Sequence, residues 1–529
     1  MEKGIVYLIG AGPGDAGLLT RRAYDVLQTA DVVLYDSLVG DAILSLIPEG
    51  CRKIAVGKRA GNHLLPQEET NVLLLREALD GNRVVRLKGG DPFLFGRGGE
   101  ELELLAENQV AFEVIPGVTS AIAVPAYNGI PVTHRDWASS VHIITAHRRA
   151  GKTEPIDYKA LVKMGGTFVF LMGVRALPEI CAGLLAAGMP AETSAAVLER
   201  GTTAAQRRVT ATVQTLPEAC EKARIGMPAI IVVGEVCRLS EEFAWAEKRP
   251  LAGEKILLMR PRHLIREFAG RLREKGAEVL EVPLIETRMI EPNPQLEAAF
   301  DSVSQYQWIV FTSPSGVRLF FEALAAHRQD LRSLMHCRIA VIGEGSRREL
   351  EKHGFIADFM PETYTGEALG RELCVYLQNR IGERQAEQED KRTGAENADR
   401  AGNLRILIPR AKEGNPELVS CLKEFAVEDL PLYETVPLDS GILNLKELVQ
   451  KGEITTAVFT SASMVRSFVR QMEGTELTGV RAACIGKQTA AAAEAAGMQI
   501  FIAEQAKLES LEKLILEMHT THEHIERPL

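Results

Sequence analysis

Val85-Arg86-Leu87-Lys88-Gly89-Gly90-Asp91-Pro92-Phe93-Leu94-Phe95-Gly96-Arg97-Gly98-Gly99-Glu100 gathers five glycines and three basic residues around the end of one apolar run. A purely structural loop rarely needs so many glycines, whose missing side chains let a backbone approach a ligand closely. Upstream, Gly10-Ala11-Gly12-Pro13-Gly14-Asp15 follows the strand-like Ile5-Val6-Tyr7-Leu8-Ile9 and precedes a helical stretch from Leu18 to Ala30. Downstream, Pro116-Gly117-Val118-Thr119-Ser120-Ala121 again follows an apolar run. Three such loops at the carboxyl ends of strands outline a site on one edge of an open α/β sheet. The first loop has Asp15 where a dinucleotide fingerprint needs its third glycine, and Pro13 fixes the turn, so that reading is poor; taken alone, the loop also fits a tight β–α turn.

The same alternation of short β-branched runs and helical stretches continues from Gly4 to Val236, as expected of stacked α/β layers. The polar, Pro- and Gly-containing stretch Glu241 to Gly253 interrupts it. We place a first region at 1–245, a linker at 246–253 and a second region at 254–529. The second region contains an internal repeat. Ile256-Leu257-Leu258-Met259-Arg260 matches Ile406-Leu407-Ile408-Pro409-Arg410, and Pro283-Leu284-Ile285-Glu286-Thr287 matches Pro431-Leu432-Tyr433-Glu434-Thr435. In the same order, Val310-Phe311-Thr312-Ser313 matches Val458-Phe459-Thr460-Ser461, and Val341-Ile342-Gly343 matches Cys484-Ile485-Gly486. Each copy has the grammar of a small doubly wound α/β domain, which predicts two similar lobes with a cleft between them. The charged stretch at about 383–403 has no apolar periodicity and is expected to be a solvated, disordered insertion.

At 529 residues the chain exceeds any single-core domain, so three or four globular domains are expected. A formal net charge of −10 supplies no positive field for nucleic acid or an anionic membrane. The eight cysteines are widely spaced with no metal-ligand pattern, which predicts buried thiols, a reducing cytoplasm and no metal. No apolar run approaches ~18 residues, and no signal peptide is expected.

GAGPGD, YDSLV, VGKRAG, VRLKGGDPFLFGRGGEE, PGVTSA, GIPVTHRD and FLMG occur in the order and spacing of the tetrapyrrole methylases, and residues 1–245 resemble their uroporphyrinogen-III methyltransferase branch. The resemblance implies two unequal α/β domains, not a Rossmann-type methyltransferase, with S-adenosylmethionine in the cleft between them. It assigns cofactor contacts to Pro13, Gly89, Gly90, Asp91, Leu94, Thr119, Ser120, Met172 and Gly201. Leu94 replaces the commoner Ile and Ser120 the commoner Ala. Asp36 and Lys58 stand where the family has a proton acceptor and a proton donor; without the family, Asp36 reads more readily as a turn cap and Lys58 as a surface charge. A pyrrole carbon that attacks a sulfonium methyl must afterwards lose a proton, which a placed carboxylate can take. A substrate with eight carboxylates calls for forked donors, and Arg59, Arg97, His134, Arg135, His147 and Arg148 are the candidates, each alternatively a solvated charge. The family further implies a homodimer through the methylase half.

The two-lobed repeat resembles uroporphyrinogen-III synthase, through Phe311-Thr312-Ser313-Pro314, Tyr364-Thr365-Gly366-Glu367, Ile408-Pro409-Arg410, Leu432-Tyr433-Glu434-Thr435 and Ile485-Gly486-Lys487-Gln488-Thr489. The implied reaction closes hydroxymethylbilane with inversion of the last ring and no cofactor. Thr312, Ser313, Ser461 and Thr489 are expected to bind carboxylates, although each also suits a helix cap. Tyr433 matches the family tyrosine proposed to assist departure of the hydroxyl. Gly343-Glu344-Gly345-Ser346-Arg347 lacks the Thr-Ala of the second copy, and that lobe is expected to bind less. The implied product is precorrin-2, methylated at C2 and C7. The sequence leaves open a non-catalytic porphyrinogen-binding tail and a methylase acting on RNA or protein.

Overall fold

The computed structural model describes residues 3–48, 50–57, 65–146, 156–260, 262–389, 404–438 and 443–526. Its strands form four five-stranded sheets. Strands β1 (Ile5–Gly10), β2 (Val32–Tyr35), β3 (Arg52–Ala55), β4 (Arg83–Lys88) and β5 (Ala111–Ile115) make the first, all parallel, in the order β3-β2-β4-β1-β5. Its inner strands are buried on both faces, which is why they read as unbroken apolar runs rather than alternating ones. The second sheet holds β6 (Val141–Thr145), β7 (Thr167–Leu171), β8 (Ser194–Glu199), β9 (Arg207–Thr212) and β10 (Ala229–Val233), ordered β6-β7-β10-β8-β9 with all pairings antiparallel except β6 with β7. Two unequal α/β domains are thus present between residues 3 and 240.

The third sheet contains β11 (Lys255–Leu258), β12 (Glu278–Glu281) and three strands from nearly two hundred residues further on. Between them lies a separate compact unit, Ile285–Leu438, whose sheet comprises β13 (Ile285–Met289), β14 (Trp308–Phe311), β15 (Arg338–Val341), β16 (Arg405–Ala411) and β17 (Ala426–Pro437), ordered β13-β17-β16-β14-β15. Then β18 (Thr456–Phe459), β19 (Arg481–Cys484) and β20 (Gln499–Ile502) complete the third sheet as β12-β11-β18-β19-β20, fully parallel.

The two similar lobes exist, but neither is built from one repeat copy. Ile256 to Leu258 of the first copy pairs with Thr456 to Val458 of the second, and Ile406-Leu407 of the second pairs with Trp308-Ile309 of the first. A repeat fixes which segments are alike, not which copy supplies the neighbour; equivalent partners are interchangeable, as in domain swapping. The related Pro-Leu-x-Glu-Thr segments are the crossing point, since Thr287 lies opposite Thr435 in an antiparallel ladder.

Two further expectations change. The boundary residues 246–253 are turns packed into the structure: Leu251 is fully buried in the core beneath β11, and its N–H donates to Lys275 O at 2.8 Å. Polar, Pro-containing composition marks the loss of regular structure here, not the loss of packing. The start of the charged insertion continues the helix Gly366–Glu389, because its Glu-, Gln- and Arg-rich text has good helix propensity; residues 390–403 lie outside the described residues. All eight cysteines are free, five buried and three half-buried. Among the described residues, no cluster of His, Cys, Asp and Glu suits a metal ion, and no helix is long and apolar enough to cross a membrane.

Candidate functional site

The carboxyl ends of β1, β4 and β5 bring the three glycine loops together. Gly12 and Gly90 exchange backbone hydrogen bonds, Gly90 N–H to Gly12 O at 2.8 Å and Gly12 N–H to Gly90 O at 3.1 Å. A Cβ on Gly10 would stand 2.5 Å from Gly117 Cα and 2.6 Å from Gly90 O, and one on Gly117 2.6 Å from Gly10 Cα. Any side chain at these positions would push the loops apart. Gly90 itself (φ +70°) would carry its Cβ into open space, with only Ser120 N nearby at 3.9 Å, so the loops leave a backbone-lined cradle there. Asp91 fastens the assembly: one carboxylate oxygen accepts from Phe93 and Leu94 N–H at 2.9 and 3.1 Å, the other from Gly117 N–H at 3.1 Å.

Thr119 caps the helix Ser120–Tyr127 by accepting from Ala121 N–H at 3.3 Å, which aims that helix's N-terminus at the cradle. Gly201 packs its bare Cα against Val124 of the same helix. Pro13 is half-buried in the first loop, and Leu94 is partly buried against the core of the second sheet. Met172, directly after β7, is exposed and in the left-handed region at φ +56°.

At the end of β2, Asp36 accepts from Leu38 N–H at 2.9 Å and from Gly89 N–H at 3.4 Å. The first bond is the turn cap; the second ties its carboxylate to the glycine cradle. Beneath it lies a group that the sequence motifs do not single out. Arg86 and Lys88 both donate to Glu101 Oε1, at 3.0 and 2.9 Å, with Glu101 only 1% exposed, and Arg86 also approaches Asp36 at 3.9 Å. Burial, and then the neighbouring Arg86, lowers the Lys88 pKa against the pull of Glu101. Two cations against Glu101 leave one positive charge that Asp36 balances. A signal for the group exists in the chain: Arg and Lys two residues apart in an apolar strand share one face and need buried counter-charges.

The substrate-binding candidates separate from this centre. Arg97, at φ +58°, is exposed and forks onto Glu100 at 3.0 and 2.6 Å, a local pair rather than a free donor. His134 sits in a tight turn with Ala138, its Nδ1 accepting from Asp136 N–H at 3.2 Å, and Arg135 beside it is exposed. Lys58, Arg59, His147 and Arg148 lie outside the described residues.

In the unit Ile285–Leu438, Tyr433 is buried with its hydroxyl 2.7 Å from Ser313 Oγ. Ser313 follows β14 and half-buried Thr312, and caps the helix Pro314–Ala326 by accepting from Gly316 N–H at 2.9 Å. Burial raises the phenol pKa, so Tyr433 stays a neutral O–H donor across the physiological range. After β15, Ser346 takes the place in its turn that Thr489 takes after Gly486, and its buried Oγ has no hydrogen-bond partner among the described residues. The first copy thus keeps a hydroxyl where its missing Thr-Ala suggests a loss. After β18, Ser461 caps the helix Ala462–Gln471 through Met464 N–H at 3.3 Å, while Thr489 is 5% exposed.

Residues 5–217 match the family of Tetrapyrrole (Corrin/Porphyrin) Methylases, and residues 266–513 match Uroporphyrinogen-III synthase HemD. The chain is 41% identical over 520 residues to the Porphyrin biosynthesis protein HemD of Ruminiclostridium josui, covering 98% of this chain and 99% of that one. It is 40% identical over 357 residues to the Uroporphyrinogen-III C-methyltransferase of Bacillus subtilis (strain 168), covering 67% and 73%. Among solved structures, the Thermus thermophilus uroporphyrin-III C-methyl transferase complexed with S-adenyl homocysteine shares 42% identity, covering 44% of this chain and 99% of that one, with a TM-score of 0.39.

Proposed function

This chain joins a tetrapyrrole methylase to a uroporphyrinogen-III synthase and belongs to the family of the Ruminiclostridium josui porphyrin biosynthesis protein, and we propose that it performs two consecutive reactions of tetrapyrrole synthesis. The second region cyclises hydroxymethylbilane to uroporphyrinogen III with inversion of the last ring. The first region then methylates that product at C2 and C7 to give precorrin-2. The synthase product is the methylase substrate, which gives the fusion a chemical reason. The observation that carries the reading is the glycine-packed meeting of the loops after β1, β4 and β5, with Asp36 bound to Gly89 at its rim.

S-adenosylmethionine would supply an electrophilic methyl group. Pro13, Gly89, Gly90, Asp91, Leu94, Thr119, Ser120, Met172 and Gly201 would hold it, the glycines by presenting bare backbone and Thr119 by fixing a helix N-terminus. Asp36 would take the proton released from the methylated pyrrole carbon, with Lys58 as its partner donor. Arg59, Arg97, His134, Arg135, His147 and Arg148 would receive the carboxylates of the porphyrinogen, Arg97 by exchanging Glu100 for substrate. In the synthase, Tyr433 would donate to the departing hydroxyl while Thr312, Ser313, Ser461 and Thr489 bind the flexible polyanion and hold it in a productive shape.

We place the methylase at 1–245 and the synthase at 254–529, the protein in the cytoplasm, and its association as a homodimer through the methylase. A coupled assay with hydroxymethylbilane and labelled S-adenosylmethionine on the intact chain tests the reading. Formation of doubly methylated product supports it. Only the type I isomer, or methyl transfer to RNA in place of uroporphyrinogen III, overturns it.

A further inference from the structure

The segment that carries Gly201 is gripped from the other half of the chain. It leans on the first glycine loop: Thr202 Oγ1 accepts from Asp15 N–H at 3.3 Å, and a Cβ on Gly14 would stand 2.7 Å from Thr203 Cγ2. Arg200 (φ +45°) and Thr202 (φ +70°) both occupy the left-handed region, which non-glycine residues adopt only when their surroundings impose it.

Two carboxylates bracket this segment. Ala204 N–H donates to Glu278 Oε2 at 2.9 Å, and Arg200 Nη1 lies 3.8 Å from Glu453 Oε1. Glu278 opens β12, and Glu453 shortly precedes β18. Both converge on Lys255 of β11, whose Nζ is 3.3 Å from Glu278 and 3.2 Å from Glu453. The same ammonium reaches Asp41 of the helix Asp41–Leu44 at 3.3 Å, and Glu281 N–H donates to Ser45 Oγ at 3.2 Å, so the third sheet is seated on the first domain as well. Lys255 is only 7% exposed. Burial pushes the Glu278 pKa up, against Lys255 and the Ala204 N–H, which hold it down.

A cavity of about 210 Å³ lies beside these contacts, lined by Asp15, Tyr127, Thr202, Arg249, Gly276 and Glu278 among others. On the side that faces the second half of the chain, the segment is therefore held at two discrete points beside open volume, while Gly201 packs on Val124 on the other side. Loss of either point leaves space for it to move.

We infer that the synthase half positions the methyl-donor site of the methylase: Glu278 and Glu453 are positioning residues that set the Arg200–Ala205 segment, and through Thr202 the first glycine loop, for S-adenosylmethionine. The inference rests on the proposed assignment of Gly201 and Pro13 to that cosubstrate. It makes the fusion more than a tether, because one sheet of the second enzyme forms the outer wall of the first enzyme's binding loop.

The test uses the full chain with Glu278→Ala, Glu278→Gln and Glu453→Gln, S-adenosylhomocysteine affinity by calorimetry, and steady-state methyl transfer to uroporphyrinogen III. Cyclisation of hydroxymethylbilane reports on the folding of the second half. Removing the Ala204 bond in Glu278→Ala is expected to weaken S-adenosylhomocysteine and raise the KM for S-adenosylmethionine about tenfold, with kcat nearly unchanged. Glu278→Gln keeps an acceptor oxygen for Ala204 and is expected to recover most of that loss. Glu453→Gln keeps an amide oxygen for Lys255, whose other partners Glu278 and Asp41 remain, and should weaken binding about threefold, with the cyclisation rate as the check on folding. Wild-type affinity in Glu278→Ala or in Glu453→Gln, or a fall in kcat at constant KM, overturns the inference. A wild-type chain that binds no S-adenosylhomocysteine overturns instead the proposed donor site itself, and the inference falls with it.

Discussion

In the proposed function, the glycine centre of the first sheet and the hydroxyl pair of the unit Ile285–Leu438 answer a similar demand, the binding of a charged organic molecule at strand ends, in opposite ways. In the first, the backbone would be the binding surface. Gly10, Gly90 and Gly117 touch through bare Cα and carbonyl atoms, and the side chains present, such as Asp91, serve to fasten backbone N–H groups. In the second, the side chains are the surface, and they work twice: Ser313 both caps a helix and meets Tyr433. Where glycines meet, as at Gly10 and Gly117, the backbone tolerates no added atom, whereas hydroxyl sites accept any small residue that still caps. The two regions should therefore fail differently when altered.

The largest effect is expected where one carboxylate stands between these modes. Asp36→Asn keeps an oxygen for the Gly89 or Leu38 N–H but loses the proton acceptor, so methyl transfer should fall about 1000-fold. S-adenosylhomocysteine binding should persist, and the synthase rate should not move. Retention of methyl transfer in single-turnover assays would remove Asp36 from the proton path.

Next comes the backbone centre. In Gly117→Ala the new methyl would sit 2.6 Å from Gly10 Cα and closer still to the Gly90 carbonyl, so the loops must separate. A shift of about 1 Å at a positioned reaction centre costs about 100-fold in rate. The measurement is kcat/KM for methyl transfer, again against an unchanged synthase rate. A variant of near-native activity would show that the cradle is not where the methyl donor lies.

This contrast also explains how much of the molecule is legible in its amino-acid sequence. Glycine spacing is a direct imprint of backbone contact, so the loops at 10–15, 89–99 and 116–121 together mark the sheet edge and the candidate site, although the first of them alone also fits a tight turn. The buried group Arg86, Lys88 and Glu101 is half-written, because its carboxylate lies on the following helix and nothing local pairs the two. The exchange of repeat copies between lobes is not legible at all: Ile256–Leu258 and Ile406–Ile408 are alike, and pattern cannot say which strand each will pair with. Likewise, no local signal joins Glu278 to Ala204, separated by 74 residues.

In the hydroxyl site, Tyr433→Phe keeps the buried ring and deletes only the donor. The synthase rate should fall about tenfold, the value of one lost hydrogen bond in the transition state. Analysis of the type III to type I isomer ratio provides the check, because uncatalysed ring closure yields type I. An unchanged ratio and rate would confine Tyr433 to packing against Ser313.

The smallest effect separates the two functions of a strand-end serine. Ser313→Ala and Ser461→Ala each remove a cap, from Gly316 and Met464 respectively, and each should cost about 1 kcal/mol of stability. If hydroxyl sites work twice, the variants should match in denaturant midpoint yet Ser313→Ala should lose more turnover, since Ser313 holds the Tyr433 hydroxyl in addition to the carboxylate-binding role it shares with Ser461. Equal turnover in both would mean that the contact orders the tyrosine ring without directing its proton. The comparison with the glycine centre would then narrow: both enzymes would rest on backbone geometry, with side-chain hydroxyls serving only to set the helices that carry it.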